Sequence, residues 1–214
     1  MRKFPIRFLI FLNTVFLNFS CNHYRHMQRT PSDETCIEKF KPDFHHAEYK
    51  TSVDVIGKHI SGLLLIKYMP DRSTRIVFTN EMGLSFFDFG FLPDSGFIVY
   101  HIVQQMNKPA LIKTLRRDFE LIMFRNMDHT KSYNLGDSGL VYHAYPQTSG
   151  INYYITDDQC RELVKMQRSS NKKPIMEAVI YKGLPGDSPD SVSIRHLNFN
   201  FLISLKKIIP LAAQ

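Results

Sequence analysis

Two residues, Cys21 and Ser138, lie in sequence contexts that are typical of covalent chemistry. Cys21 follows, after Ser20, an uncharged and largely apolar run from Phe8 to Phe19. A thiolate is a soft nucleophile that can accept an acyl group. Ser138 lies in the string Gly-Asp-Ser-Gly-Leu at positions 136–140, and a serine becomes a nucleophile only beside a histidine base. The first residue therefore points to membrane attachment and the second to hydrolysis.

The first twenty residues have the layout of a cleavable signal peptide. Arg2, Lys3 and Arg7 make a basic start, and the apolar run that follows falls within the usual length of about 7–15 residues. A membrane-spanning helix needs about 20 apolar residues, so a permanent span is disfavoured. The run ends Leu-Asn-Phe-Ser-Cys at positions 17–21, which resembles the lipobox of bacterial lipoproteins. This resemblance implies cleavage after residue 20 and a lipid on Cys21. The alternative is an ordinary secreted protein in which Cys21 is a free thiol or half of a disulfide.

The string around Ser138 resembles the nucleophile motif Gly-Asp-Ser-Gly-Gly of chymotrypsin-like proteases, and more loosely the Gly-Asp-Ser-Leu motif of a lipase family. The protease family also needs a histidine in an Ala-Ala-His-Cys context, which this chain lacks, and Leu140 replaces the last glycine of the motif. The lipase motif belongs near the mature N-terminus, far from position 138. The same four residues are typical of a turn between two strands. We therefore expect no enzyme, and a serine hydrolase using Ser138 is a remote alternative.

Other chemistry has little support in the sequence. There is no His-Glu-x-x-His string, no clustered Cys and His spacing, no phosphate loop and no dinucleotide fingerprint. We therefore expect no metal and no cofactor. The chain carries a net charge of +7, and removal of the three basic residues of the signal leaves +4 without any block of basic residues. That distribution argues against a nucleic-acid partner.

Composition favours one strand-rich domain. The chain has 17 Phe and 10 Tyr but no Trp among its 214 residues, and aromatic residues favour strands. Residues 21–47 are polar without a sustained period, and we interpret them as a lipidated N-terminus followed by a flexible tether that holds the body away from the bilayer. Residues 48–206 form the domain and 207–214 a tail. Cys36 and Cys160 could pair in an oxidising compartment, or remain as two separate thiols.

Short alternating or aromatic runs separated by Pro, Asp, Gly and Asn turns predict an antiparallel meander. One segment breaks the pattern, because Leu111, Leu115, Phe119 and Ile122 follow helical spacing. We predict an amphipathic helix over residues 108–124, capped by Asn107, with Pro109 in its first turn. The predicted strands cover residues 49–55, 59–67, 75–79, 84–91, 97–103, 140–145, 151–156, 163–167, 175–181 and 192–205.

This order of elements resembles the half-barrel of the periplasmic lipoprotein carrier, of its outer-membrane receptor and of uncharacterised lipoproteins thought to share that fold. The resemblance rests on the segments 61–67, 75–79, 80–83 and 86–89, and covers residues 48–205. It implies a mainly β (α+β) fold, with a strongly curved antiparallel sheet or half-barrel of about 10–11 strands. The helix over residues 108–124 would pack on the concave face.

Such a curved sheet cannot fill its own concave face, so the space under a helix can hold acyl chains. The predicted cavity residues are Leu111, Leu115, Phe119, Ile122, Phe87 and Phe89. The resemblance thus implies a non-catalytic lipoprotein that binds lipid or lipoprotein acyl chains, anchored to the membrane by its N-terminal lipid. In one alternative the same residues fill a dry core, and in another the protein is an envelope structural or assembly factor that acts through protein contacts. The residues after Cys21 are basic rather than acidic, which by analogy favours the periplasmic face of the outer membrane.

Overall fold

The computed structural model describes residues 23–31, 35–181 and 187–209. The predicted signal peptide, the predicted lipid attachment site Cys21 and the last five residues of the predicted tail lie outside the described residues.

The described residues form one open, strongly curved antiparallel sheet of thirteen strands, with one long helix. The predicted fold class is confirmed, although there are thirteen strands where ten or eleven were expected. The strands are β1 (Gln28–Thr30), β2 (His46–Val55), β3 (Lys58–Tyr68), β4 (Thr74–Thr79), β5 (Ser85–Phe91), β6 (Phe97–Ile102), β7 (Tyr133–Asp137), β8 (Leu140–Pro146), β9 (Ile151–Asp157), β10 (Leu163–Ser169), β11 (Pro174–Tyr181), β12 (Ser191–His196) and β13 (Phe201–Lys207). The helices are α1 (Thr35–Glu38), α2 (Pro109–Ile122) and a 3-10 turn, His129–Lys131.

The additional strands have physical explanations. The segment predicted as one strand over residues 192–205 is a hairpin, because Asn198 and Asn200 lie in the bend between β12 and β13 and asparagine favours turns. Strand β7 was missed because its sequence, Tyr-Asn-Leu-Gly-Asp, has little β propensity apart from the tyrosine. Strand β1 has only three residues and none is buried, so no apolar alternation reveals it.

The sheet consists of two meanders joined at the centre. Strands β2 to β6 pair in sequence, α2 follows, and β7 to β13 pair in sequence. Strand β13 then pairs with β2, with Phe201 opposite Val55. Strands β1 and β6 are the two edges. Because successive strands reverse direction, the β2–β3, β10–β11 and β12–β13 turns lie at the same end of the sheet, which we call the upper end. The hydrogen bond from the Ile56 amide to the Asn200 carbonyl (3.0 Å) joins two of these turns.

Helix α2 begins one residue later than predicted. Its N-cap is Lys108, with φ −120° and ψ 124°, and Pro109 occupies the first helical position. The prediction that Asn107 caps the helix is therefore wrong. Proline pushes the residue before it into extended conformation, and this fixes Lys108 as the boundary. No side chain caps the helix at this end.

The segment predicted as a flexible tether is, where described, part of the folded body. Strand β1 pairs with β7, and α1 buries Cys36 and Ile37. Cys36 is disulfide-bonded to Cys160, with 5.9 Å between their Cα atoms. The disulfide settles the question that the sequence left open, and it ties this segment to the turn between β9 and β10.

Most of the apolar core lies on the concave face, beneath α2 and the segment 35–44. A second, smaller cluster lies on the convex face of β7 to β10, where Tyr24 stacks on Tyr153 with 4.7 Å between ring centroids. The Tyr24 hydroxyl is hydrogen-bonded to Ser169, and the His23 amide donates to the Lys172 carbonyl (2.7 Å). His23 and Tyr24 are therefore held against the convex face near the upper end of β10.

Candidate functional site

Ser138 lies at the tip of the β7–β8 hairpin. Ser138 and Gly139 have φ values of 50° and 79°, as a two-residue hairpin turn with two left-handed positions requires. The alternative interpretation of this string as a turn is confirmed. The exposed Ser138 hydroxyl donates to the Asp137 carboxylate (3.0 Å), which is its one hydrogen-bond partner among the described residues. The other Asp137 oxygen lies 3.4 Å from His26 Nε2, so the histidine contacts the acid rather than the serine.

The concave face contains an apolar cavity of about 70 Å³ under the N-terminal half of α2. Leu111, Leu115 and Phe119 contribute its roof, because these residues fall on one face of the helix. Thr51 is the only lining residue with a polar side chain, and the surface that lines the cavity is apolar throughout. The other lining residues, from the sheet and the α2 lead-in, are Val53, Val55, Ile60, Leu64, Phe78, Phe87, Met106, Phe201 and Ile203.

Four of the six predicted cavity residues line this space, namely Leu111, Leu115, Phe119 and Phe87. The two others, Ile122 and Phe89, are fully buried in the adjoining core and do not line it. Phe87 joins the two groups, since its ring stacks on Phe89 at 4.4 Å and contacts Phe119 at 6.1 Å between centroids. The concave face is thus partly packed core and partly cavity.

Sequence reasoning missed the wall formed by β2 and β13. Val53 and Val55 alternate with the polar residues Ser52 and Asp54 in β2, so their common face was visible. Their partners on the adjacent strand are Phe201 and Ile203 of β13, which lie almost 150 positions away in sequence. No local pattern indicates which strand returns to pair with β2, and therefore nothing in the sequence placed these residues in one site.

The polar contacts of α2 are concentrated in its C-terminal half. Arg116 bonds to Glu120 (2.8 Å) and to the Ser95 carbonyl (3.0 Å), and Arg117 donates to the Ser149 carbonyl (3.0 Å). The Tyr154 hydroxyl donates to the Leu121 carbonyl (3.2 Å), and burial raises the pKa of Tyr154, so this donor keeps its proton. Within the described ranges, helix residues 109–115 make no side-chain hydrogen bond or ion pair.

A buried ionic cluster fixes the middle of α2. The Asp118 carboxylate is fully buried and accepts one bond from Arg168 (2.7 Å) and another from His196 (2.8 Å). Arg168 and His196 come from the upper ends of β10 and β12, so the cluster ties the helix to two strands. Lone buried charges are very costly, and the pairing is what makes this burial possible.

A larger cleft of about 430 Å³ lies at the opposite, lower end of the sheet, beside the end of α2. Lys41, Asp43 and Arg125 are among the residues that line it, and it is open to solvent. Charged, wet walls do not suit an apolar chain, so the small cavity is the better candidate for one.

Two further observations concern sites of other kinds. No group of three or more His, Cys, Asp or Glu side chains in the described part of the chain is placed to hold a metal ion. Among the same residues, no helix has the length and apolarity needed to cross a membrane.

No protein-family model matches the chain, and no curated protein matches it in sequence. Among solved structures, it is similar to a DUF1329 family protein from Desulfovibrio piger, at 7% identity and a TM-score of 0.43, over 84% of this chain and 91% of the other. It is also similar to a domain described as that of an outer membrane lipoprotein-sorting protein from Vibrio parahaemolyticus, at 5% identity and a TM-score of 0.47, over 85% of this chain and 92% of the other. At this level both likenesses concern the fold alone.

Proposed function

We propose that the protein is a non-catalytic, lipid-anchored envelope protein that binds an acyl chain of a lipid or lipoprotein in the apolar cavity under α2. The observation that supports this function is the wholly apolar lining of a cavity that is roofed by the less tightly held half of a helix. Burial of apolar surface by an acyl chain stabilises the complex by about 25 cal/mol per Å². A polar substrate would find no partner there.

Binding a whole chain requires α2 to move. The cavity of about 70 Å³ is smaller than the roughly 300–1,000 Å³ of ordinary ligand sites, and about half of an engineered cavity of ~150 Å³ that admits benzene. Residues 109–115 are anchored by apolar contacts, whereas the buried Asp118 cluster and the Arg116 and Arg117 contacts hold the rest. The N-terminal two turns of α2 would therefore lift while its C-terminal half stays in place.

An exposed apolar residue at the rim of the cavity supports entry of the acyl chain at the upper end of the sheet. Ile56 is 76% exposed and has φ +47°, a conformation that a β-branched residue rarely adopts. It follows the lining residue Val55 and is bonded to the chain just before Phe201. An apolar side chain held in a strained conformation at the mouth of a cavity is consistent with contact to a lipid.

The position of the proposed anchor fits the same picture. Since His23 and Tyr24 are held against the sheet near the upper end of β10, a lipid on Cys21 would be separated from the folded body by only one residue. The body would then lie at the bilayer surface, with the cavity mouth toward it, rather than at a distance on a tether. The basic residues after Cys21 favour the periplasmic face of the outer membrane as the location.

A cavity-filling pair of variants tests the binding. Val53→Phe adds volume inside the cavity, whereas Val77→Phe makes the same change in β4 between the core residues Ile76 and Phe78, on the other face of the sheet. We expect the full chain carrying Cys21→Ser to bind cis-parinaric acid, and Val53→Phe to weaken that binding at least about tenfold, which is ~1.4 kcal/mol. Val77→Phe should bind as the parent does. Equal binding by both variants, or no binding by the parent, would contradict the function.

The anchor is tested by intact-mass spectrometry of the chain expressed in a Gram-negative host. The expected mass is that of residues 21–214 plus acyl groups, and Cys21→Ser should lose them. An unmodified mass would remove the anchor from the proposal and leave the cavity to be judged by the binding experiment.

A protein-contact role is the second candidate, since the edge strand β6 exposes Ile98, Val99 and Tyr100. An unpaired edge with exposed apolar residues can accept a strand from another chain. Substituting Val99→Lys and measuring the capture of envelope proteins would separate this role from lipid binding, which should be unchanged.

A further inference from the structure

A second cavity, of about 160 Å³, lies on the flank of α2 around its middle and is strongly basic. Lys113 and Arg117 line it from the helix, and Arg168 and His196 line it from β10 and β12. Thr114 and Asn198 add a hydroxyl and an amide, so hydrogen-bond donors surround the space. We call this space the basic pocket.

The charges in the basic pocket are unbalanced. Three permanent cations, Lys113, Arg117 and Arg168, line it, and no carboxylate does. The two nearby carboxylates already have partners, since Asp118 accepts bonds from Arg168 and His196 and Glu120 accepts one from Arg116. The Arg168 side chain is 7% exposed, and its Nε has no hydrogen-bond partner among the described residues. Buried guanidinium groups normally satisfy their donors, so this part of the molecule has capacity for a further acceptor.

The environment of Arg117 agrees with that excess of charge. Burial lowers the pKa of its guanidinium, and the nearby charge of Arg168 lowers it further. An anion between these groups would offset both effects. A carboxylate or phosphate oxygen is the usual partner for paired guanidinium and ammonium groups.

The basic pocket and the apolar cavity share a wall. Phe201 lines the cavity, and its ring stacks on His196 (5.0 Å) and on Phe199 (5.7 Å), which both line the basic pocket. Helix α2 is the second shared element, since Leu111 and Leu115 face the cavity while Lys113 and Arg117 face the pocket. Helix α2 therefore separates an apolar site from a cationic one.

We infer that the basic pocket is the headgroup site for an anionic amphiphile, a molecule with a carboxylate or phosphate next to the acyl chain that occupies the apolar cavity. This inference rests on the proposed function, and it narrows the ligand from any acylated molecule to one with a negative headgroup. The uncharged N-acyl end of a lipoprotein is disfavoured, because it would leave the cations without a partner.

The test compares ligands with equal chains and different heads. Cis-parinaric acid bound to the full Cys21→Ser chain is displaced with palmitate, with uncharged hexadecanol and with inorganic phosphate. We expect palmitate to bind about tenfold more tightly than hexadecanol, a difference of ~1.4 kcal/mol. Lys113→Gln, which removes one cation without touching the contacts that hold α2, should reduce that preference and leave hexadecanol binding unchanged, and adding Arg117→Gln should abolish the preference.

The control is Lys50→Gln with Lys67→Gln, which removes the same charge from exposed positions on β2 and β3 and should keep the preference. Circular dichroism and Tm establish that each variant is folded, and Lys113→Gln alone, at an exposed position, should give an intermediate preference. Equal affinity for palmitate and hexadecanol would overturn the inference while the proposed function stands. If neither cis-parinaric acid, palmitate nor hexadecanol binds, both the inference and the proposed function are overturned. Phosphate that binds as tightly as palmitate would make the pocket a site for free anions and overturn the headgroup role.

Discussion

The contribution of the buried Asp118 cluster can be measured with one substitution, Asp118→Ala. The carboxylate is fully buried and accepts two bonds of 2.7 and 2.8 Å from basic side chains. Hydrogen bonds to charged groups contribute about 1.5–3 kcal/mol each, and breaking a buried ion pair costs about 3–5 kcal/mol. We therefore expect the free energy of unfolding to fall by about 4 kcal/mol in urea titrations followed by circular dichroism.

Two comparisons isolate the cause. Glu48→Ala removes a carboxylate from an exposed pair with His46, and it should cost less than about 1 kcal/mol. Combining Asp118→Ala with Arg168→Met should recover part of the loss, because the double variant no longer buries an unpaired guanidinium. A loss for Asp118→Ala as small as that for Glu48→Ala would refute the reasoning that the cluster holds α2 to the sheet.

Three other predictions concern the fold. The disulfide between Cys36 and Cys160 spans 124 positions. For a loop of that length the loss of entropy in the unfolded chain stabilises the fold by roughly 5 kcal/mol. Replacing both cysteines with alanine should therefore lower the urea midpoint to that of the reduced protein. Gly62→Ala should cost about 1–3 kcal/mol in the same titration, because its Cβ would lie 1.9 Å from the Thr79 carbonyl oxygen, whereas the exposed neighbour Ser61→Ala should change little. Burial raises the pKa of Tyr24 to about 12, so the stability tied to its proton is present below pH 10 and is lost as the pH rises toward 12. Absorbance at 295 nm should then show the buried tyrosines ionising only as the circular dichroism signal of the fold is lost. The tyrosines whose pKa burial raises are Tyr24, Tyr49, Tyr142, Tyr153 and Tyr154.

The parts of the fold that follow from local pattern were predictable. Helix α2 was visible because Leu111, Leu115 and Phe119 share one face, and most strands were visible from aromatic and β-branched runs between turns. The N-terminal segment was misread because its burial depends on partners far along the chain. Cys36 and Ile37 are surrounded by polar residues in sequence, and only the folded sheet gives them an apolar environment.

The candidate site divides in the same way. The roof of the apolar cavity was predicted, since it lies on one helix, but its β13 wall was not. The basic pocket was beyond reach of pattern analysis, because Asp118, Arg168 and His196 come from three elements whose meeting depends on the whole sheet. Lys113 and Arg117 give α2 basic positions, yet an exposed basic face is ordinary on a helix, and nothing nearby in the sequence indicates an anion site.

The pairing of β13 with β2 has a consequence for how and when this chain folds. The central seam of the sheet joins residues about 150 positions apart, so it cannot form until strand β13 has emerged from the ribosome or from a translocation pore. Contacts of such long range slow folding, because the loop must close before any of them forms. The two meanders can begin to pair independently, but neither can enclose α2 on the concave face without the other. The concave core is therefore completed only after almost the whole chain has been released, because its last strand, β13, supplies part of the wall.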